Sequence, residues 1–88
     1  PLPTHDGPTV SVCIANWNCI GMLRRCLESL YEQPQGVDFE VVIVDNASED
    51  GAPEMVRSEF PQARLVVNLE NRGFARANNQ AAAIARGR

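Results

Sequence analysis

The unbroken apolar run Val41-Val42-Ile43-Val44 constrains the fold of this chain more than any other feature of its sequence. All of its side chains are β-branched, and such side chains favour the extended backbone of a strand. A strand that is apolar on both faces needs cover on both sides, which is typical of the centre of a parallel sheet. We therefore expect a central strand over residues 39–44, with helices on both faces of its sheet.

Strand and helix patterns alternate along the rest of the chain. Large and small residues alternate over residues 10–15, and residues 64–69 form the third candidate strand. The β-α-β-α-β-α order predicts parallel strands with right-handed crossovers, hence a Rossmann-like α/β sandwich of three layers. Apolar residues recur at helical spacing in three segments, with Ile20, Leu23, Leu27 and Leu30 in the first, Met55, Val56 and Phe60 in the second, and Phe74, Ala77, Ala81 and Ile84 in the third.

Polar and turn-forming residues predict the boundaries of these elements. Asn18 is placed to cap the first helix, and Asp50 or Ala52 begins the second. The Pro- and Gly-rich residues 1–8 are expected to form an extended leader, so that the folded domain covers residues 9–88.

The charge and cysteine content exclude several classes of protein. The chain has a formal net charge of −3, a pI near 5.0 and no lysine, which argues against broad binding to nucleic acids or anionic membranes. No apolar run approaches the length of about 20 residues that crosses a bilayer. Cys13, Cys19 and Cys26 form no Cys-x-x-Cys motif, which predicts free thiols rather than a zinc site and hence a reducing, cytoplasmic location.

Asparagine and aspartate side chains gather in the loops that follow the predicted strands. In open parallel sheets these loops meet at one edge, where ligands bind. Asp45 directly follows the apolar run, and we interpret it as a ligand-binding carboxylate. Asparagine and aspartate also form turns and helix caps, which is the role that we favour for Asn18, Ser48 and Asp50. Five of the seven asparagines lie in these loops, namely Asn16, Asn18, Asn46, Asn68 and Asn71.

The sequence lacks the motifs of the common nucleotide-binding α/β proteins. The first crossover, residues 16–21, contains no G-x-G-x-x-G turn that admits a pyrophosphate. No G-x-x-x-x-G-K-[ST] motif occurs, and the chain has no lysine to serve one. A phosphoacceptor receiver domain carries acidic residues after its first strand, where this chain has amides and an indole. We therefore exclude these three classes of domain.

Three segments together resemble the beginning of a family 2 glycosyltransferase. They are Val12-Cys13-Ile14-Ala15-Asn16-Trp17-Asn18, residues 42–51 with the pattern Val-Asp-Asn-x-Ser-x-Asp-Gly, and residues 71–79 with the pattern Asn-x-Gly-Phe-x-x-x-x-Asn. The resemblance implies an inverting enzyme of the GT-A fold that uses a nucleotide sugar. It also implies that this chain is the N-terminal, nucleotide-binding half of that fold. The Asn-Arg-Gly-Phe sequence looks most like that of bacterial rhamnosyl-, galactofuranosyl- and related cell-envelope transferases.

The resemblance implies that Asp45 selects the nucleotide. This residue matches the family aspartate that contacts a pyrimidine base. A carboxylate accepts a charge-assisted hydrogen bond from the N3–H of uracil or thymine, and cytosine has no such donor. The expected sugar donor is therefore a UDP- or dTDP-sugar, and the expected acceptor group is a hydroxyl.

The same resemblance implies that further loop residues bind the nucleotide. Arg72 matches a position near the base and the phosphates, although a solvated loop arginine has the same sequence signature. Asn16 and Trp17 lie where the family holds the nucleoside, while packing of Trp17 against a helix is the alternative. Asn71 and Gly73 complete this predicted site.

Two functional elements of the complete family do not occur in this sequence. It has no Asp-x-Asp motif to hold a divalent metal ion (Mg²⁺ or Mn²⁺) on the diphosphate, and no later acidic residue to deprotonate the acceptor. We expect the metal only in the full-length enzyme, and no glycosyl transfer by these 88 residues alone. The alternative function is that of a stand-alone, non-catalytic α/β module that binds a nucleotide or a partner protein.

The topology implied by the family places the strands in the order 3-2-1. The strand at residues 10–15 is then an edge of the sheet, and it contains neither a charged residue nor a proline. Such an edge offers unpaired N–H and C=O groups to another chain. We expect a homo-oligomer that forms through this edge.

Overall fold

Helices and strands alternate in the computed structural model, which describes residues 10–32 and 39–85. In chain order the elements are β1 (Val10–Asn16), α1 (Ile20–Glu32), β2 (Phe39–Asp45), α2 (Ala52–Glu59), β3 (Arg64–Val67) and α3 (Phe74–Ile84). The predicted β-α-β-α-β-α order is confirmed. The leader expected at residues 1–8 lies outside the described residues.

The strands are parallel and lie in the order β1-β2-β3, which confirms the predicted order. Asn16 pairs with Asp45, and Asp45 pairs with Val67, so all three strands end at the same level. β3 ends at Val67 rather than at residue 69. The N–H of Asn68 makes the last bond, to the carbonyl of Asp45 (2.8 Å), and Leu69 is then 99% exposed.

α1 and α2 cover one face of the sheet with large apolar side chains. Successive strand residues alternate between faces, so the odd-numbered residues of β2 point to these helices. The helical spacing of α1 correctly predicts that Leu23 and Leu27 enter this core. Its buried residues are Leu23, Leu27, Val41, Ile43, Ala52, Met55, Val56 and Phe60.

α3 covers the other face with much smaller side chains. Its buried residues are Ala77 and Ala81, which pack in one cluster with Val42 and Val44 of β2. Alanine methyl groups fill little space, so this cluster contains smaller side chains than the first. With α1 and α2 on one side and α3 on the other, the predicted three-layer, Rossmann-like α/β class is confirmed.

Candidate functional site

The loops that follow the three strands meet at one edge of the sheet, as the parallel order requires. They comprise residues 17–19, 46–51 and 68–73. The sheet continues into the second loop, because the N–H of Asn46 donates to the carbonyl of Asn16 (2.8 Å). We call this side of the sheet the carboxyl edge, and it holds every residue of the predicted site.

Asp45 lies at the centre of a buried hydrogen-bond network and is only 1% exposed. Its Oδ1 accepts hydrogen bonds from Nδ2 of Asn16 (2.9 Å) and from Oγ of Ser48 (2.8 Å). Its Oδ2 accepts from the backbone N–H of Ser48 (2.9 Å). Asp45 therefore joins the end of β1 to the loop after β2 through charge-assisted hydrogen bonds. Its contact with a base stays a prediction.

Asn18 and Ser48 connect the first two loops instead of capping helices. The N–H of Asn18 donates to Oγ of Ser48 (2.8 Å), and Oδ1 of Asn18 accepts from the N–H of Glu49 (2.7 Å). Asn18 has a φ of 48°, in the left-handed region that asparagine tolerates. The carbonyl of Cys19, not that of Asn18, accepts the first bond of α1, from Leu23 (2.8 Å). The predicted caps at Asn18 and Ser48 are wrong because both side chains face the neighbouring loop.

Asp50 fulfils its predicted capping role for two helices at once. Its Oδ2 accepts from the N–H of Ile20 (2.9 Å), and its Oδ1 accepts from the N–H of Ala52 (3.1 Å). Ile20 and Ala52 are the first residues of α1 and α2. First-turn N–H groups have no partner inside their own helix, and a negative charge beside them is favourable. One carboxylate thus fixes where both helices of the same face begin.

Three amide side chains connect the third loop to β2 and to α3. Asn46 is 1% exposed, donates to the carbonyl of Gly73 (3.2 Å) and accepts from Nδ2 of Asn68 (2.9 Å). Asn68 and Gln80 donate to each other, at 2.9 and 3.0 Å. Several asparagines of this edge therefore hold loops in place, which is the alternative to ligand recognition. Sequence reasoning missed Gln80, because a glutamine on a helix carries no local signal for a long-range partner.

The tip of the third loop presents Asn71 and Arg72 to solvent. Oδ1 of Asn71 accepts from the N–H of Gly73 (2.8 Å), which forms a local turn. Gly73 has a φ of 85° and a ψ of 159°, a conformation that is essentially restricted to glycine. The Arg72 side chain is 51% exposed, with its Nε 3.8 Å from Oε1 of Glu70. Such a solvent-exposed ion pair is weak, so the guanidinium is accessible to a ligand.

An open, apolar groove of about 260 Å³ lies beside the end of β1, between α1 and the start of α3. Trp17 and Phe74 both line it, and they are 45% and 58% exposed. Phe74 is the first residue of α3, as the helical pattern predicts, but it is exposed, whereas Ala77 and Ala81 of the same pattern are buried. Phe74 directly follows Gly73, the last residue of the third loop. This position is the signal that would have identified Phe74 as a residue of the candidate site.

Within residues 10–32 and 39–85, no group of three or more His, Cys, Asp and Glu side chains is arranged to hold a metal ion. The side chains present there therefore do not fit the divalent metal that the family resemblance implies. Cys13, Cys19 and Cys26 are free thiols. In the same part of the chain, no helix combines the length and the apolar character that crossing a membrane requires.

Sequence comparison shows which family the chain belongs to. The family model described as Glycosyl transferase family 2 matches residues 11–88, and the chain is a member of that family. The succinoglycan biosynthesis protein ExoO of Rhizobium meliloti (strain 1021) is 38% identical over 82 residues, covering 92% of this chain and 23% of that protein. The validoxylamine A glucosyltransferase of Streptomyces hygroscopicus subsp. jinggangensis (strain 5008) is 36% identical, covering 97% of this chain and 21% of that protein.

Comparison with solved structures supports the same assignment. The mannosyltransferase PcManGT from Pyrobaculum calidifontis, in complex with GDP-Man and Mn²⁺, matches with a TM-score of 0.73 and 36% identity. The match covers 91% of this chain and 25% of that chain. The resemblance to a GT-A glycosyltransferase is therefore confirmed. The chain spans about a quarter or less of the length of the relatives named here.

Proposed function

We propose that this chain is the nucleotide-sugar-binding part of a glycosyltransferase that transfers a sugar from a UDP- or dTDP-sugar to a hydroxyl acceptor. One observation carries the proposal: the carboxyl edge combines a buried, internally hydrogen-bonded floor with an exposed rim. The floor consists of Asn16, Asp45 and Asn46. The rim consists of Trp17, Asn71, Arg72 and Phe74.

The rim has the chemistry that a nucleotide sugar requires. The aromatic faces of Trp17 and Phe74 border one groove, and stacking of a base on such a face contributes about 1–3 kcal/mol. The planar guanidinium of Arg72 suits phosphoryl and carbonyl oxygens, and the amide of Asn71 donates or accepts. The floor is already hydrogen-bonded without a ligand, so little ordering is left to oppose binding.

Asp45 supports a pyrimidine donor through its remaining acceptor position. A carboxylate has about four lone-pair sites. The bonds from Asn16 and Ser48 occupy both sites of Oδ1 and one of Oδ2. We propose that the N3–H of uracil or thymine bonds to Oδ2. The related mannosyltransferase binds GDP-Man, so preference for a purine nucleotide is the competing outcome.

The metal ion and the catalytic base belong, in this proposal, to the complete protein. The related mannosyltransferase structure contains Mn²⁺, and the expected Mg²⁺ or Mn²⁺ would offset charge on the leaving diphosphate. This chain contributes nucleotide binding and orientation, and we expect no sugar transfer from it alone. We also propose a cytoplasmic location, because three free thiols are compatible with a reducing compartment.

Titration with UDP, dTDP, CDP and GDP, followed by NMR of backbone amides, tests the nucleotide site. We expect UDP or dTDP to shift the amides of Trp17 and Gly73 and to bind more tightly than CDP and GDP. Arg72→Gln should weaken the binding of all four nucleotides, because we propose that its guanidinium contacts the phosphoryl oxygens that they share. Arg25→Gln is the matched control, since Arg25 is exposed on α1. Absence of binding by every nucleotide would contradict the proposed function.

The same titration with Asp45→Asn tests the base contact. Loss of a hydrogen bond to a charged group should weaken the binding free energy of the preferred nucleotide by about 1.5–3 kcal/mol. Glu49→Gln, in the exposed part of the same loop, is the control for the change in charge. Equal binding of all four nucleotides, unaffected by Asp45→Asn, would remove Asp45 from base selection and leave the groove as the site.

The second candidate is a stand-alone, non-catalytic α/β module that binds a nucleotide or a partner protein. Transfer assays on a protein extended to the length of the relatives separate the two. Sugar transfer from a nucleotide sugar supports the first function. Binding without transfer by the longest natural reading frame supports the second.

We also propose that β1 mediates self-association of this chain. β1 is an edge of the sheet, and Val10, Trp17 and Met22 beside it are 39%, 45% and 68% exposed. Antiparallel pairing of two β1 strands would form backbone hydrogen bonds on the side of β1 that faces away from β2. Val10→Lys should favour the monomer in sedimentation velocity. Val67→Lys on β3, whose valine is equally exposed at 39%, should not. A monomeric wild-type chain at tens of micromolar would refute the contact.

A further inference from the structure

The amide pair of Asn68 and Gln80 ties the third loop to the helix that this loop begins. Asn68 directly follows β3, and Gln80 lies in the second turn of α3. Each side-chain NH₂ donates to the oxygen of the other, at 2.9 and 3.0 Å, and both residues are half-buried. Two amides that satisfy each other in this way take one mutual orientation, so they fix the distance between the start of the loop and the helix.

The carbonyl of Gly73 sets the direction of a longer chain of amides. A carbonyl only accepts, so Asn46 must direct its NH₂ to Gly73 (3.2 Å) and its oxygen to Asn68 (2.9 Å). Asn68 then has one remaining N–H, which it donates to Gln80. If any one amide rotated by half a turn, two donors or two acceptors would face each other, which is costly in a half-buried site. These hydrogen bonds connect Gly73 to Gln80 through Asn46 and Asn68, and the backbone of α3 connects Gln80 back to Gly73. Together they form a closed ring.

This ring encloses the loop tip at residues 69–72, which contains Asn71 and Arg72. The tip is exposed, whereas the groups that flank it are held by the ring. We propose that Asn68 and Gln80 are positioning residues that hold this tip in the conformation presenting Arg72 and Asn71 to the nucleotide. Their side-chain amides hydrogen-bond to each other and to Asn46, so we assign them to holding the loop rather than to contacting the ligand. The inference rests on the proposed nucleotide-binding function and deepens it.

Gln80→Glu tests the positioning role with almost no change in shape. It removes the NH₂ that donates to Oδ1 of Asn68, and a net hydrogen bond is worth about 0.5–1.5 kcal/mol, or roughly a 2- to 10-fold change in an equilibrium. We expect UDP to bind about 2- to 10-fold more weakly, and hydrogen exchange at Gly73 and Arg72 to rise while that of β2 stays constant. Asn78→Asp is the matched control, an exposed amide on the same helix, and should change neither quantity.

An exchange of the two side chains provides the rescue. Asn68→Gln and Gln80→Asn each change the reach of one amide by a methylene, whereas the double variant restores the summed length. We expect each single variant to lose affinity and local protection, and the double variant to recover both.

Equal affinity and exchange in Gln80→Glu and Asn78→Asp would overturn the inference. So would a uniform rise in exchange throughout β2 and α1, which would show a loss of overall stability instead of loop positioning. If the wild-type chain binds no nucleotide, the proposed function fails by itself. Exchange at Gly73 then still decides whether the pair holds the loop, and unchanged exchange there refutes it.

Discussion

The two faces of the sheet hold their helices by different means. On the first face, α1 and α2 pack through large side chains such as Leu27, Met55 and Phe60. On the second face, α3 packs through Ala77 and Ala81. Burial of apolar area contributes about 25 cal/mol per Å², so the first face provides most of the hydrophobic stabilisation.

Polar bonds supplement the small apolar side chains of α3. The helix is joined to the sheet at its first turn by Asn46, in its second turn by the pair of Asn68 and Gln80, and at its end by Arg64, which donates to the carbonyl of Ile84 (2.6 Å). Hydrogen bonds depend on direction more than apolar packing does. A helix placed in this way has a defined orientation, which suits the element that carries Phe74 and follows the loop with Asn71 and Arg72.

The largest expected effect comes from the first face. Leu27 is fully buried, and Leu27→Ala should lower the free energy of unfolding by about 2–5 kcal/mol in urea denaturation. Leu69 is 99% exposed, so Leu69→Ala should change stability by no more than about 0.5 kcal/mol. On the second face, Ala81→Gly should cost about 1 kcal/mol through helix propensity. A cost at Ala81 that matches or exceeds that at Leu27 would break the comparison between the faces.

The next effect concerns the turn that begins α3. Gly73→Ala should cost about 1–3 kcal/mol because φ of 85° with ψ of 159° excludes a side chain. Apart from Gly73 and its two chain neighbours, no atom of the described residues lies within 4 Å of the added Cβ, so the cost arises from the backbone conformation. Gly21→Ala, also in open space but inside α1, should instead stabilise by up to about 1 kcal/mol. Thermal unfolding measures both, and a neutral Gly73→Ala would contradict the requirement for glycine.

The smallest effects compare one arginine from each face. Arg64→Gln removes the bond to the carbonyl of Ile84 and the ion pair with Glu40 (3.1 Å), and should cost about 0.5–1.5 kcal/mol. Arg24 pairs with Glu59 between α1 and α2, and this hydrogen bond raises the pKa of Arg24 above its ordinary value. Both side chains of that pair are more than 40% exposed, so Arg24→Gln should cost less than Arg64→Gln.

Salt separates the two arginines further. In about 1 M NaCl, where the Debye length is near 3 Å, the contribution of Arg24 should disappear while most of that of Arg64 remains. Urea denaturation at low and high salt measures the difference. An equal loss in Arg24→Gln and Arg64→Gln at both salt concentrations would show that polar bonds serve the two faces alike.

The fold could be predicted from local patterns because each depends on spacing along the chain. The valine-rich run of residues 41–44 needed cover on both sides, and the helical spacing of Leu23 and Leu27 placed them in the core. Phe74 belongs to the same series of helically spaced apolar residues as Ala77, but it is 58% exposed. Periodicity describes a face of a helix, and it does not show how far along the helix the sheet extends.

The location of the candidate site could be predicted from the sequence, but the contacts within it could not. Parallel strands bring their carboxyl ends together, so the gathering of Asp45, Asn46 and the third loop followed from the order of elements. The partners of each amide did not follow. Asn18 has the sequence signature of a helix cap, yet its Oδ1 accepts from the N–H of Glu49, more than one element away.

The sequence by itself determined the elements, their order and the edge at which the loops of the proposed site gather, because these depend on side-chain periodicity and on the handedness of crossovers. Only the tertiary structure decided which polar groups form the buried floor and which remain exposed on the rim. Asp45 and Arg72 are both predicted ligand residues, but Asp45 is 1% exposed and the Arg72 side chain is 51% exposed. The difference arises because a hydrogen bond joins groups that meet in space, and loops 30 or so residues apart in the chain meet only after the sheet has formed.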